Sequence, residues 1–145
     1  MRGALTREPL DPQRILAEVA DAACGALILF VGTVRDMNDG RAVTGMEYSA
    51  YEAMAEREMT LIAAETGERF GTAHVVIEHR LGALALGDAS VAIAVAHPHR
   101  AEAYGASRYA IEQLKQRVPV WKREHYADGT REWVDPTRAH QEVLP

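Results

Sequence analysis

The spacing of apolar and polar positions divides the chain into helices and strands in mixed order. Asp11-Pro12 joins a helix N-cap to proline at the first helical position, predicting a short helix to about Ala23 with Gly25 as its cap. Branched residues predict a buried strand over 26–35. The run DMNDGR at 36–41 predicts a turn or mobile loop, and 43–49 a second strand. Helical spacing covers 51 to about 69, with Met54, Glu58, Leu61 and Ile62 as helix formers. A strand is expected at 73–78 and a loop at 81–88, where two glycines fall. The strand expected at 89–96 is apolar at successive positions, so both of its faces should be covered. A long helix should run from Pro98 to Val118 with an apolar stripe of Tyr104, Ile111, Leu114 and Val118, and Pro119 ends it. Short strands at 120–124 and 131–134 flank the turn Asp128-Gly129. With no internal repeat or linker, this order predicts one α+β domain over residues 1–145.

Composition narrows the class. A chain of 145 residues, 48% hydrophobic and 26% charged, can bury its own core without a metal or disulfide staple. The longest apolar run, 26–31, is too short to cross a bilayer, and the N-terminus lacks the pattern of a secretory signal. Cys24 is the only cysteine, which excludes an internal disulfide and fits a reducing cytoplasm. A net charge of −5 argues against a general nucleic-acid binder. Yet His97 to Arg123 holds six Lys/Arg and two acids, a net of +4 that leaves −9 elsewhere. Such a patch suits a small anionic ligand or an acidic partner surface, but on charge alone an ordinary solvated helix face is the favoured reading.

The choice of cation carries more information. Fourteen arginines accompany only two lysines, Lys115 and Lys122, seven residues apart. Arginine is a permanently charged fork, whereas a lysine that is desolvated or crowded by cations can lose its proton and act as base or nucleophile. Lys115 falls in the last turn of the long helix, and alternation puts Val118, Val120 and Lys122 on one face of the segment after Pro119. A helix end turned back by proline can bring both amines to one cleft. His99-Arg100 stands at the start of the same helix, where free N–H groups and the helix dipole favour an anion. His79-Arg80 ends a strand, and a structural role bridging backbone groups is expected for it. Arg35, after Gly32-Thr33-Val34 at a strand end, is a candidate ligand contact. His97 and His99 are two residues apart, but no further ligand is spaced to complete a zinc site, so no metal is expected.

Several segments in order resemble the large, catalytic subunit of molybdopterin synthase. They are Phe30-Val31-Gly32-Thr33-Val34-Arg35, Tyr51-Glu52-Ala53-Met54-Ala55, His79-Arg80-Leu81-Gly82 and Gly87-Asp88-Ala89-Ser90-Val91. His99-Arg100, Leu114-Lys115, Val118-Pro119-Val120-Trp121-Lys122-Arg123-Glu124 and Trp133-Val134 complete the set. The resemblance implies an α/β-hammerhead-like fold with an additional small antiparallel sheet. It implies a homodimer of large subunits within a heterotetramer, each bound to a small ubiquitin-like sulfur-carrier subunit ending in a Gly-Gly thiocarboxylate. The tail enters a pocket and passes sulfur to cyclic pyranopterin monophosphate; two transfers build the dithiolene and open the cyclic phosphate. No resident cofactor is implied. By the same resemblance Lys115 and Lys122 are the catalytic lysines, and Arg35, His99 and Arg100 contact substrate or tail. Cys24, beside Gly25 and before a buried strand, reads as a small hydrophobe and not as the sulfur carrier. The rival reading is a non-catalytic anion-binding or regulatory module. The paired lysines speak against it, because arginine would serve such a module equally well.

Overall fold

The computed structural model of the chain describes residues 1–134. Any part of the expected domain beyond residue 134 lies outside the described residues. Asp11 caps the first helix as its sequence predicts, its carboxylate accepting the Arg14 N–H at 3.2 Å. This helix, α1 (Pro12–Val19), stops earlier than expected. Asp21 folds the next residues into a turn instead, accepting the Ala23 N–H on its side chain at 2.7 Å and the Cys24 N–H on its carbonyl at 3.0 Å.

One sheet has the strand order β1 (Arg2–Thr6), β5 (His74–Arg80), β7 (Ala89–His97), β2 (Ala26–Thr33). β1 runs parallel to β5, and the other two pairings are antiparallel. The expected double covering of β7 is present. Val91, Ile93 and Val95 pack in the core with α2 (Glu52–Phe70) and α3 (Arg100–Arg117). Ala92, Ala94 and Ala96 pack on the opposite side against Ile15 and Val19 of α1.

Of the expected α3 stripe, Leu114 and Val118 are buried and Ile111 packs half-buried against the core, but Tyr104 is 63% exposed; Ala103, Ala106, Ser107 and Ala110 complete the inner face. Small residues let α3 approach closely, so its inner face carries little of the bulk from which periodicity is read. β1 is likewise unexpected, because an RGALT segment shows no clear alternation. Its seat depends on Gly3, where a Cβ would fall 2.5 Å from the Met59 carbonyl carbon of α2. Gly3→Ala should therefore lower stability by about 1–3 kcal/mol in urea unfolding, the usual cost of overpacking. An unchanged midpoint would show that β1 does not need this close approach.

The second sheet is antiparallel throughout: β3 (Met37–Asn38), β4 (Arg41–Ala50), β8 (Val120–Tyr126) and β9 (Arg131–Val134), with β6 (Gly82–Ala85) also paired to β4. The expected α+β architecture with an additional antiparallel sheet is thus observed. Two segments expected as loops contain strand. Asp39 and Gly40 both have positive φ (49° and 75°), the two-residue turn that closes a β3–β4 hairpin. Gly82 and Gly87, also at positive φ, bracket β6 and its following turn. Tyr48 on β4 packs against both the main core and the small cluster of Val34, Met46 and Leu84. A polar cavity opens beside it.

Candidate active site

At the rim of the first sheet, the β2–β7 pairing bulges between Gly32 and Thr33. A bulge bends a strand and re-aims the residues after it. Here the chain stays tethered past the bulge, with Val34 N–H donating to Asp88 at 3.0 Å and Gly87 N–H to Val34 at 2.9 Å. Arg35 is thereby delivered to a cavity of about 210 Å³, which Tyr48, Lys115, Lys122 and Glu124 also line. Gly32 belongs to the wall, and a Cβ there would stand 2.7 Å from the Val91 Cγ1. The two amines meet as the proline suggested. α3 ends at Arg117, Val118 turns extended, and β8 leads back along the second sheet. Alternation then places Val120, Lys122, Glu124 and Tyr126 on the inward face of β8. The face predicted from sequence ended at Lys122; two further alternation steps reach Glu124 and Tyr126.

Glu124 is 1% exposed and organises the floor of the cavity. It accepts hydrogen bonds from Asn38 Nδ2 at 2.6 Å and from the Tyr126 hydroxyl, and its Oε1 lies 3.2 Å from the Lys122 ammonium. Burial alone would raise this carboxyl. The hydrogen bond from Tyr126, the Lys122 charge and the Asn38 amide outweigh it and hold Glu124 below the ordinary carboxylate range. Lys122 is therefore neutralised in place, and Lys115 is not. Solvent reaches Lys115 at the mouth of the cavity. Enough protein surrounds its ammonium, however, that lost hydration pushes its pKa down, and the charges of Lys122 and Arg35 push it further the same way. Among the described residues neither Lys115 nor Arg35 forms a salt bridge. The site thus offers an amine biased toward its neutral form beside a guanidinium free to hold an anion.

The basic stretch at 97–123 does not act as one patch. Arg108 pairs with Glu112, Arg117 with Glu58 and Glu65, and Arg123 with Glu47. Lys115 and Arg100 remain. They stand at opposite ends of α3, roughly 22 Å apart at 1.5 Å per residue. The structure therefore unites Arg35, Lys115 and Lys122 and leaves His99 and Arg100 exposed at the far helix N-terminus. Both His97 ring nitrogens are engaged, with the Phe70 carbonyl and the His99 N–H, each at 2.9 Å, so His97 has none to offer a metal. One grouping unseen in the sequence brings potential metal ligands together. Asp21, Cys24 and His74 lie within 4.8 Å of one another, away from the lysine cavity. Cys24 itself packs beside the α1 core, and burial followed by the Asp21 charge raises its thiol pKa, which makes it a poor nucleophile.

His79 lies just beyond the cavity on β5. Its Nδ1–H donates to the Arg80 carbonyl at 2.9 Å, the backbone bridge expected for this pair. Burial drives its pKa from 6.5 to about 4; the bond to Arg80 opposes the shift and the Lys115 charge reinforces it. The unfolded chain, with the higher pKa, binds more protons between these values, so stability should fall as pH drops from about 6.5 to 4. The loss from this group should approach about 3 kcal/mol at the acid end. Denaturant titrations of wild type and His79→Asn across that range should converge as pH falls, and parallel curves would rule the group out as their source.

The fold and cavity define a protein with an amine pair and a guanidinium, unpaired among the described residues, around a chamber sized for a small anion. The family model described as "MoaE protein" matches residues 5–117, so the chain belongs to the MoaE family. Its relatives include the molybdopterin synthase catalytic subunit of Halalkalibacterium halodurans, 44% identical over 133 residues, covering 92% of this chain and 85% of the relative. A crystal structure of molybdopterin synthase from Staphylococcus aureus superposes with a TM-score of 0.86 at 36% identity, covering 90% of this chain and 95% of that one. A complex of subunits 1 and 2 of molybdopterin-converting factor from Helicobacter pylori shares the fold at 22% identity, with a TM-score of 0.74 and coverage of 91% and 89%.

Proposed function

We propose that this chain is the catalytic subunit of a molybdopterin synthase, transferring sulfur to cyclic pyranopterin monophosphate from the C-terminal thiocarboxylate of a small ubiquitin-like partner. The observation that carries the reading is the convergence of the chain's only two lysines on one cavity, one paired with Glu124 and one unpaired among the described residues and shifted toward the free amine. The names of the relatives speak of a catalytic subunit, and the Helicobacter pylori neighbour is a two-subunit complex.

In this reading Arg35 holds the anionic thiocarboxylate, with Lys122, paired to Glu124, as a further hydrogen-bond donor. Sulfur attacks the pterin, and the acyl–sulfur bond is then broken either by a water that Lys115 deprotonates, which releases the tail as a carboxylate, or by the Lys115 amine, which takes the tail's acyl group as a transient amide that water later cleaves. A tail ending in two glycines is narrow enough to enter a cavity of about 210 Å³ walled by Gly32. Sulfur and pterin both arrive from outside the chain, so the chemistry requires no resident metal or cofactor. No helix among the described residues is long and apolar enough to cross a membrane, and we place the reaction in the cytoplasm. Because one chain separates Lys115 from Arg100 by roughly 22 Å, a homodimer is the arrangement in which a second copy can present His99 and Arg100 to the same pterin.

The test is reconstitution. The purified chain, a thiocarboxylated small subunit and the cyclic pterin are mixed and the dithiolene product is assayed. Product is expected only when all three are present. Binding of the pterin without product, under any partner condition, would favour the anion-binding module.

A further inference from the structure

His79 is the one polar side chain on the face of β5 that turns toward α3. Alternation places it in line with Val75 and Ile77, both fully buried in the core under the helices. An apolar residue would fill that position without the cost of burying an imidazole. The ring stands edge-on to Tyr48, centroids 5.0 Å apart, and walls a recess of about 20 Å³ that Lys115 and Lys122 also line. A recess of this size admits a group no larger than one water.

The protons of the ring are fixed by its partner. A carbonyl only accepts, so the bond to Arg80 requires the proton on Nδ1. In the neutral ring Nε2 is then a bare lone pair, and among the described residues the ring's only hydrogen bond is the one to Arg80. The lysine amine is a donor in both of its protonation states. We propose that His79 is the positioning residue for Lys115: its Nε2 accepts a hydrogen bond from the Lys115 amine within this recess and so aims the amine's own lone pair into the larger cavity. The inference rests on the sulfur-transfer reading above. The low pKa of His79 supports it, because a ring that stays neutral at physiological pH does not repel the ammonium it holds. The other groups around Lys115 are Lys122 and Glu124 of β8, Arg35 after β2, and the Tyr48 hydroxyl of β4. Of these, Lys122 and Arg35 are cations that cannot accept, and Glu124 is already shared among Asn38, Tyr126 and Lys122.

Two substitutions separate this role from the structural one. His79→Asn can keep a donor near Nδ1 and removes the acceptor at Nε2, whereas His79→Gln can return an oxygen near the Nε2 position. With only two lysines, ¹³C-lysine labelling yields two side-chain signals, which Lys122→Arg assigns. An acceptor stabilises the ammonium more than the amine, so the Lys115 titration midpoint should move down in His79→Asn and stay near wild type in His79→Gln. Turnover should fall about tenfold in His79→Asn with little change in KM for the pterin, and recover at least in part in His79→Gln. An unmoved Lys115 midpoint in His79→Asn overturns the proposal, as does equal loss in both variants in step with thermal stability. The ¹⁵N spectrum of the wild-type ring tests the bond without depending on either variant folding: a bare Nε2 is expected, and a proton on Nε2 excludes the bond. Wild-type dithiolene formation, measured alongside, reports on the sulfur-transfer reading separately.

Discussion

Lys115→Ala should abolish dithiolene formation while leaving the fold and the partner complex intact, and Lys115→Arg should be nearly as inactive. The first change removes the unpaired amine at the mouth of the cavity; the second keeps its charge. A guanidinium does not deprotonate at working pH, so it can hold an anion but cannot serve as base or nucleophile. The structure makes this contrast sharp because Lys115 is crowded by Lys122 and Arg35 and, among the described residues, forms no salt bridge with an acid. Losing a proton-transfer group costs typically 10²–10⁴-fold, and losing a covalent nucleophile should cost at least as much, so we expect a drop of at least ~10²-fold in both variants. Single-turnover assays with saturating thiocarboxylated partner measure it. Near-normal turnover in the arginine variant would reduce Lys115 to a charge.

The second large effect concerns His99 and Arg100. Arg100→Ala should weaken pterin turnover through loss of charge-assisted hydrogen bonds, each worth ~1.5–3 kcal/mol. If the site is completed across a dimer, mixing Lys115→Ala chains with Arg100→Ala chains should restore activity, because a mixed dimer then contains one intact site. Random exchange makes half the dimers mixed, so recovery should approach about a quarter of wild-type sites in a twofold-symmetric dimer. Failure to recover, with exchange verified by mass, would confine each site to one chain and remove His99 and Arg100 from it.

Much of the fold and of the site is legible in the sequence. The helix start at Asp11-Pro12, the doubly covered strand at 89–96 and the lysine pair all come from local rules of capping, alternation and residue choice. The features that stay hidden depend on contacts distant in sequence. β1 exists because Gly3 permits β5 and α2 to close around it. The N-terminal half of the α3 stripe eludes periodicity because small residues, Ala103, Ala106 and Ala110, mark its inner face there in place of Tyr104. Glu124 lies two residues past Lys122 on the same face, but its role requires Asn38, from a hairpin whose sequence reads as a loop. The basic stretch looks like a patch because its acid partners, Glu47, Glu58 and Glu65, lie on other elements. His99 and Arg100 show the opposite limit: close in sequence logic to the lysines, they lie a whole helix away.

If sulfur passes from the partner's thiocarboxylate to the pterin in the Lys115–Lys122 cavity, it never resides on this chain. A single turnover with partner carrying ³⁵S only in its terminal thiocarboxylate, run with wild type and with Cys24→Ser, follows the atom itself. The label should appear in the dithiolene at equal rate and yield in both, with none retained on the catalytic chain. Label trapped on Cys24, or product formation that fails in Cys24→Ser, would contradict this route.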